Sequence, residues 1–380
     1  MGLQYHLLQP ETSTGINGAF REFQTIDFVL NGDGRKLVKN SIVLTFQLRA
    51  YSDAYTTRVT TAQAIGIEPK IGGHAFIGSY TTEVQSAGII ESIQEVPRYV
   101  NTVWCCSKDQ NDVYNAKAQA EGREVRETGG RYRIQGVRSG NSDTGNASFK
   151  TNDQDFAIVP PVCFNNMSGD DYSFSKKGYV RISMNLAKNA DALFGLASAT
   201  ASYEIVNPQI RYTTIDDDGS QSMIMMNTYS MIKNTINSQQ GNISATIPQS
   251  RVSGVVVNFL SQNNESSATA NHYRLEKMPQ LKSVQYLFNN STNDAVSYVE
   301  EDLQTMVARG VAAVSSSVGK GSICSPNKLA ANKANVIGLP FEDFIDLSRQ
   351  KFNVQLVSDS PNLGNEPRIA YLYFLALIQM

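Results

Sequence analysis

Three histidines, His6, His74 and His272, are the only imidazoles in the chain, and none has a second histidine or a carboxylate at ligand spacing, so no metal site is expected. His74 opens an expected helix and reads as a local hydrogen-bonding residue. The four cysteines, Cys105, Cys106, Cys163 and Cys324, contain one adjacent pair and no CxxC, which excludes a zinc knuckle and a disulfide framework and leaves buried free thiols. No nucleophile elbow, phosphate-binding loop, dinucleotide fingerprint or HExxH pattern occurs. The acidic runs Asp216–Asp218 and Glu300–Asp302 fall in an expected linker and on the solvent face of an expected helix. No catalytic, cofactor-binding or metal-binding residue is therefore assigned, no cofactor is expected, and the role implied is structural or binding rather than enzymatic.

Two clusters could instead bind a partner. Arg123, Arg126, Arg131, Arg133 and Arg138 crowd one Gly-rich stretch, but Glu121, Glu124 and Glu127 interleave with them, which describes a solvated or inter-subunit loop. The run Met223-Ile224-Met225-Met226 reads as a core strand with adaptable gap-fillers before it reads as a sticky patch. A net charge of −2 leaves no broad basic face for neutralising phosphates, so no specific nucleic-acid binding is expected.

The elements that must position these groups are mostly strands. At 380 residues the chain exceeds what one core usually spans, so two compact units are expected. A hydrophobic fraction of 41% with only 18% charged residues fits a globular protein that buries surface against partners. No window approaches the ~20 apolar residues of a membrane span. Met1–Pro10 lacks the basic region and apolar core of a secretory signal, which implies a soluble chain made in a cytoplasm.

Read along its length, the chain divides into a polar arm, 1–19, a strand-rich block, 20–215, a linker, 216–221, and a second strand-rich block, 222–380. The arm carries Leu3, Tyr5, Leu7 and Leu8 and is expected to dock outside its own domain. Phe23–Leu30, the turn Asn31–Gly34 and the alternating Ile42–Leu48 give the strongest hairpin signal. Phe76, Tyr80 and Val84 recur at four-residue spacing and predict a short helix within 74–87. Ile89–Trp104 continues as extended structure, with Pro97 at an edge or kink. Residues 105–155 lose apolar periodicity and form a long excursion, with a local hairpin within 132–137. Val180–Leu186 and Tyr203–Tyr212 close the first block as strands.

The second block repeats the order, with strands over 223–236, 244–247, 252–260 and 281–288. Asp294 caps a helix carrying Val296, Val299, Leu303, Met306 and Val307 on one face. A second excursion covers 315–335. The alternating Phe352–Leu356 and the apolar Ile369–Ile378 close the block as a half-buried and a fully buried strand.

Ile42–Leu48, Gly72–Ile77, Gly88–Ile93 and Pro97-Arg98-Tyr99 in the first half resemble the double jelly-roll major capsid proteins of tailless icosahedral viruses. Val252–Phe259, the helix at 295–309, Phe352–Leu356 and Tyr371–Phe374 carry the resemblance through the second half. It is one of layout and strand style, without an invariant signature. It implies an all-β chain of two tandem eight-stranded jelly rolls with short helices in the connections. It further implies a capsid subunit of a virion, a bacteriophage being the expected source, assembled in the host cytoplasm as homotrimers with a six-fold-like outline. The implied partners are neighbouring capsomers, penton or minor capsid proteins and, through the arm, an internal lipid membrane. The competing readings are a two-domain jelly-roll carbohydrate-binding protein or adhesin, for which Trp104 supplies a single stacking surface, and a cupin-like enzyme, for which histidine pairs are missing.

Overall fold

The computed structural model describes residues 2–12, 18–59, 65–68, 70–107, 120–123, 132–133, 154–194, 200–220, 223–265, 267, 269–289, 297–300, 302–318 and 336–380. The first half supplies β1 (Gln4–Leu8), β2 (Ala19–Phe20), β3 (Thr25–Leu30), β4 (Lys36–Leu37), β5 (Val43–Tyr51), β6 (Gly66–Ile67), β7 (Ile77–Val84) and β8 (Gly88–Gln94). After helix α1 (Val96–Ser107) come β9 (Tyr132–Arg133), β10 (Gln154–Ile158), β11 (Met167–Gly169), β12 (Tyr172–Ser173), β13 (Val180–Leu186) and β14 (Ser202–Ile215). The second half runs β15 (Ile224–Ile236), β16 (Gln240–Ala245), β17 (Val252–Ser261), β18 (Leu281–Phe288) and β19 (Ser297–Glu300). Helix α2 (Leu303–Val318), β20 (Val336–Ile345), β21 (Phe352–Ser358) and β22 (Arg368–Gln379) complete it.

The strand order is the same twice. In the second half one sheet runs β15-β22-β17-β20 and its partner β16-β21-β18-β19. In the first half β10-β5-β14, with β1 and β2 on the far side of β14, faces β3-β13-β7-β8. Each half therefore sends successive strands to alternate sheets, makes one direct hairpin (β7–β8, β18–β19), follows it with a helix, and returns through three more strands. These are two eight-position jelly rolls in one all-β chain, as expected from the sequence.

The sheets of the first half bury mainly one face, which explains the alternation of β3, β5 and β13, whose even positions are covered and whose odd positions, Tyr51 apart, are open or partly open. β17 and β22 are buried on nearly every residue, and their sequences are correspondingly continuous apolar runs. One face meets the roll's own core, and the other is covered by α1, α2 and the first roll. Each fully buried Val, Leu, Ile or Phe contributes about 1.5–3 kcal/mol. Close packing of α2 on this sheet needs Gly310, where an added Cβ would lie 2.5 Å from Val336 O.

Several local expectations are corrected. Residues 77–84 are a strand, not part of a helix: a four-residue spacing is also two pleat periods, so Tyr80 and Val84 share a strand face, and the buried polar Thr82 between them masks the alternation. Gly88, at φ 73°, does not stop a helix but turns β7 into β8. Residues 96–107 are helical rather than extended, and Pro97 sits in the first turn, where its missing N–H is no loss. The turn at 31–34 exists, with Asp33 and Gly34 at positive φ, but β3 pairs with β13 and β5 with β14 and β10, in opposite sheets. Alternation reports one-sided burial and not the identity of the neighbour.

The second helix begins at Leu303, after Val299 has paired with Gln285 in β19. Its cap is Asp302, whose carboxylate accepts from the Gln304 and Thr305 backbone N–H groups at 3.2 and 3.3 Å; Asp294 lies outside the described residues. Both expected excursions begin inside helices, since α1 runs to Ser107 and α2 to Val318. Most of 105–155 and of 315–335 lies outside the described residues. Within 132–137 the described pair Tyr132–Arg133 joins Gly66–Ile67. The arm is not docked away from its own roll, because β1 pairs with β14 from Gln4↔Thr214 to Leu8↔Ile210.

Candidate functional site: a buried polar seam between the rolls

The end of β8 and the start of α1 place a set of polar side chains against the second roll. Glu95, at φ 51°, breaks the strand and starts the helix. One face of α1 then carries Arg98, Asn101 and Thr102, all at most 2% exposed. Arg98 Nη1 donates to Arg274 O at 2.9 Å and Nη2 to His272 O, while its guanidinium lies 4.1 Å from the centre of the Tyr371 ring. Asn101 Nδ2 donates to Tyr273 O at 2.9 Å, and Asn258 Nδ2 donates to Thr102 Oγ1 at 2.6 Å.

The second roll answers mainly with carbonyls and phenols. Tyr229 OH donates to Gln94 O at 3.1 Å, Tyr373 OH to Glu95 O at 3.3 Å and Tyr273 OH to Ala75 O at 3.3 Å. Asn271 Nδ2 donates to the buried Glu68 carboxylate. Tyr99 packs on Tyr229 with the rings tilted by 30° and their centres 3.9 Å apart. Burial pushes the Tyr99 and Tyr229 phenols up, so both remain neutral donors at ordinary pH. Hydrogen bonds to a charged group are worth about 1.5–3 kcal/mol each, so Arg98 alone makes the seam costly to open. α1 and α2 also touch, and β11 of the first half pairs with β15.

His272 stands in this seam with Nε2 3.8 Å from Glu95 Oε2 and Nδ1 3.8 Å from Asp191 Oδ1. Burial alone would raise the Glu95 carboxyl, but His272, Arg98 and Lys233 outweigh it and hold the carboxyl below its usual range. A histidine between two carboxylates is a grouping that local spacing could not show, since positions 95, 191 and 272 are brought together only by the meeting of the rolls. With His272 3% exposed, its ring nitrogens are closed to a substrate, and the group acts as a fastener. Among the described residues no group of three or more His, Cys, Asp or Glu side chains, this one included, is arranged to hold a metal ion.

The remaining sequence candidates are scattered. His6 stacks on Tyr212, ring centres 4.5 Å apart, and shares a 2.8 Å hydrogen bond with Thr214 Oγ1. His74 is buried in the 3-10 turn at Gly72–Phe76. Cys105, Cys106 and Cys163 are buried free thiols, and Cys324 lies outside the described residues. Arg123 is not solvated: it covers Trp104 at 4.3 Å and pairs with Glu121 at 2.7 Å. That contact leaves the tryptophan 9% exposed, so it offers no open stacking face. Ile224 and Met226 are core residues of β15.

The acidic linker is strapped down rather than loose. Asp217 Oδ2 accepts from Ser173 and Ser175 at 2.5 and 2.6 Å, Lys36 Nζ donates to Asp218 at 2.5 Å, and Asp216 pairs with Arg35 at 2.5 Å. The serine hydrogen bonds hold the Asp217 carboxyl down at about 2. Asp216 also accepts from the Gly2 N–H at 2.7 Å, which ties the arm to the linker. On the outer face of that arm Leu3, Tyr5 and Leu7 are 58%, 79% and 55% exposed.

The whole chain superposes on viral coat subunits. The PBCV-1 virus capsid matches with a TM-score of 0.58 at 11% identity, covering 100% of this chain and 94% of that one. The two-roll fold is that of viral major capsid proteins. The Faustovirus major capsid protein matches with a TM-score of 0.55 at 10% identity, over 100% and 90% of the two chains. The mavirus major capsid protein gives 0.52 at 12% identity, over 99% and 88%. At the level of sequence no family model and no curated protein matches. The fold is thus retained where residue identity is not, as jelly-roll strands need only alternation, turns and a packed interior.

Proposed function

We propose that this chain is a major capsid protein, a structural subunit whose work is assembly into a virion shell. The observation that carries the reading is the repeated strand order together with the polar seam. Two equivalent rolls held as one rigid piece give each chain two similar lobes. Three such chains around a three-fold axis then present six lobes, which tile a near-hexagonal lattice.

In this reading residues 20–215 and 222–380 are the two rolls, 216–221 the strapped linker, and 1–19 an arm that completes a sheet of its own roll while offering Leu3, Tyr5 and Leu7 to a neighbour or to an internal membrane. The partners are two further copies, neighbouring capsomers, and penton or minor capsid proteins; the location is the virion after assembly in the host cytoplasm. A bacteriophage source rests on the sequence resemblance alone. No catalytic step is assigned to the subunit. Expression of the full chain followed by electron microscopy tests the proposal: six-lobed particles with three-fold symmetry support it, and lone two-lobed particles at every concentration and salt oppose it.

A further inference from the structure

Two carboxylates stand four residues apart at the seam in opposite surroundings. Glu95 faces His272, with the charges of Arg98 and Lys233 near. Glu91, on β8, is 3% exposed and bonded only to neutral groups. Its Oε2 accepts from Thr82 Oγ1 of β7 at 2.9 Å and from the Cys163 backbone N–H at 2.9 Å. Its Oε1 lies 2.6 Å from Thr228 Oγ1 of β15, in the second roll. One side chain thus joins three segments and both rolls.

The charged and titratable groups around it can be named element by element. From α1 comes the Tyr99 phenol, while Arg98 is turned to the 272–274 carbonyls. The Tyr229 phenol comes from β15 and the Cys163 thiol from the 163–165 turn. Glu95 follows on its own segment, engaged by His272. Arg251 lines the 620 Å³ cavity that opens beside Glu91 but makes no hydrogen bond or ion pair with it. Among the described residues, the ionisable groups bearing on Glu91 are therefore ones that become negative, and no cation is paired with it. A carboxylate there would be buried without a counter-charge, held only by the neutral donors of Thr82, Cys163 and Thr228.

We propose that Glu91 is a proton-dependent clasp between the two rolls: as a carboxylic acid it donates its O–H from Oε1 to Thr228 Oγ1, and as a carboxylate, its proton released to solvent, it loosens the seam. In the acid form Oε2 keeps both of its acceptor bonds, so every polar atom of the group is satisfied. Burial pushes the Glu91 carboxyl up, against the opposing pull of the Thr228, Cys163 and Thr82 hydrogen bonds. With the folded value raised, the unfolded chain loses its proton first, so stability is full below the ordinary carboxylate range and falls as pH rises from there through the raised value. Glu95 has the opposite sign, its contribution being lost as pH falls.

The test uses the full chain, Glu91→Gln and Thr228→Val. Opening of the seam, read as exchange of the Cys163 amide after correction for the intrinsic pH effect, should accelerate by up to about tenfold per pH unit across that window in the unsubstituted protein. In Glu91→Gln, which keeps a neutral donor at the same place, that added pH dependence should vanish and melting above the window should occur at higher temperature. An unchanged pH dependence, or a glutamine variant less stable above the window, overturns the proposal. Infrared spectra of the unsubstituted chain decide the matter should the variant not fold. A protonated carboxyl stretch that persists above the usual carboxylate range and shifts in Thr228→Val supports the clasp, and its absence overturns it.

Discussion

The two rolls share a strand order and differ in what they bring to each other. Helix α1 follows the β7–β8 hairpin and turns Arg98, Asn101 and Thr102 toward the second roll. Helix α2 follows the equivalent β18–β19 hairpin and buries Met306, Val307, Ala313 and Val314, with Gly310 closing on β20. The same place in the fold is a polar joint in one roll and an apolar wedge in the other. Topology is repeated because alternation and turns suffice to define it, whereas the seam needs complementary chemistry and so cannot be symmetric.

The difference can be broken from the polar side first. Arg98→Met leaves the His272 and Arg274 carbonyls without their charged donor and should cost about 3–5 kcal/mol by chemical denaturation. It should also split one unfolding transition into two as the rolls uncouple. A loss below the range of a surface substitution would remove Arg98 from the account.

From the apolar side, Gly310→Ala drives a Cβ to within 2.5 Å of Val336 O and should cost about 1–3 kcal/mol through overpacking. Its effect should fall on the second roll, seen as faster amide exchange in β17 and β20, with β5 and β13 unchanged.

A smaller effect is expected at the linker. The Asp217 carboxyl is held at about 2, below its unfolded value, so its contribution is present above the ordinary carboxylate range and lost as pH falls through about 2. Asp217→Asn should lower the melting temperature by about 2–4 °C at neutral pH and remove that part of the acid sensitivity. Equal acid sensitivity in the variant would contradict the strap.

Smallest of all for folding is the arm's outer face. Tyr5→Ser with Leu7→Ser should change stability by no more than about 0.5 kcal/mol per site, as at other exposed positions. It should nonetheless impair shell formation; normal shells from this variant would show that the face is idle.

Much of the fold is legible in the sequence because one-sided burial writes itself as alternation, as in Val180–Leu186, and two-sided burial as an apolar run, as in Ile369–Ile378. What misleads is period. Phe76, Tyr80 and Val84 satisfy a helix and a strand equally, and Val96–Trp104 carries helical spacing behind a proline that suggests extension. The seam was not legible, since Glu95, Asp191 and His272, or Glu91, Cys163 and Thr228, meet only when distant segments pack. The sequence signal that points to it is Arg98 at helical spacing from Asn101 and Thr102, which gives 96–107 the polar side of an amphipathic helix.

The central claim, that two rolls fastened as one unit form the building block of a shell, is tested most directly by the mass and outline of the purified full chain. The account predicts three copies per particle and six lobes in projection, persisting as salt and dilution are varied. A single-copy mass throughout would contradict it.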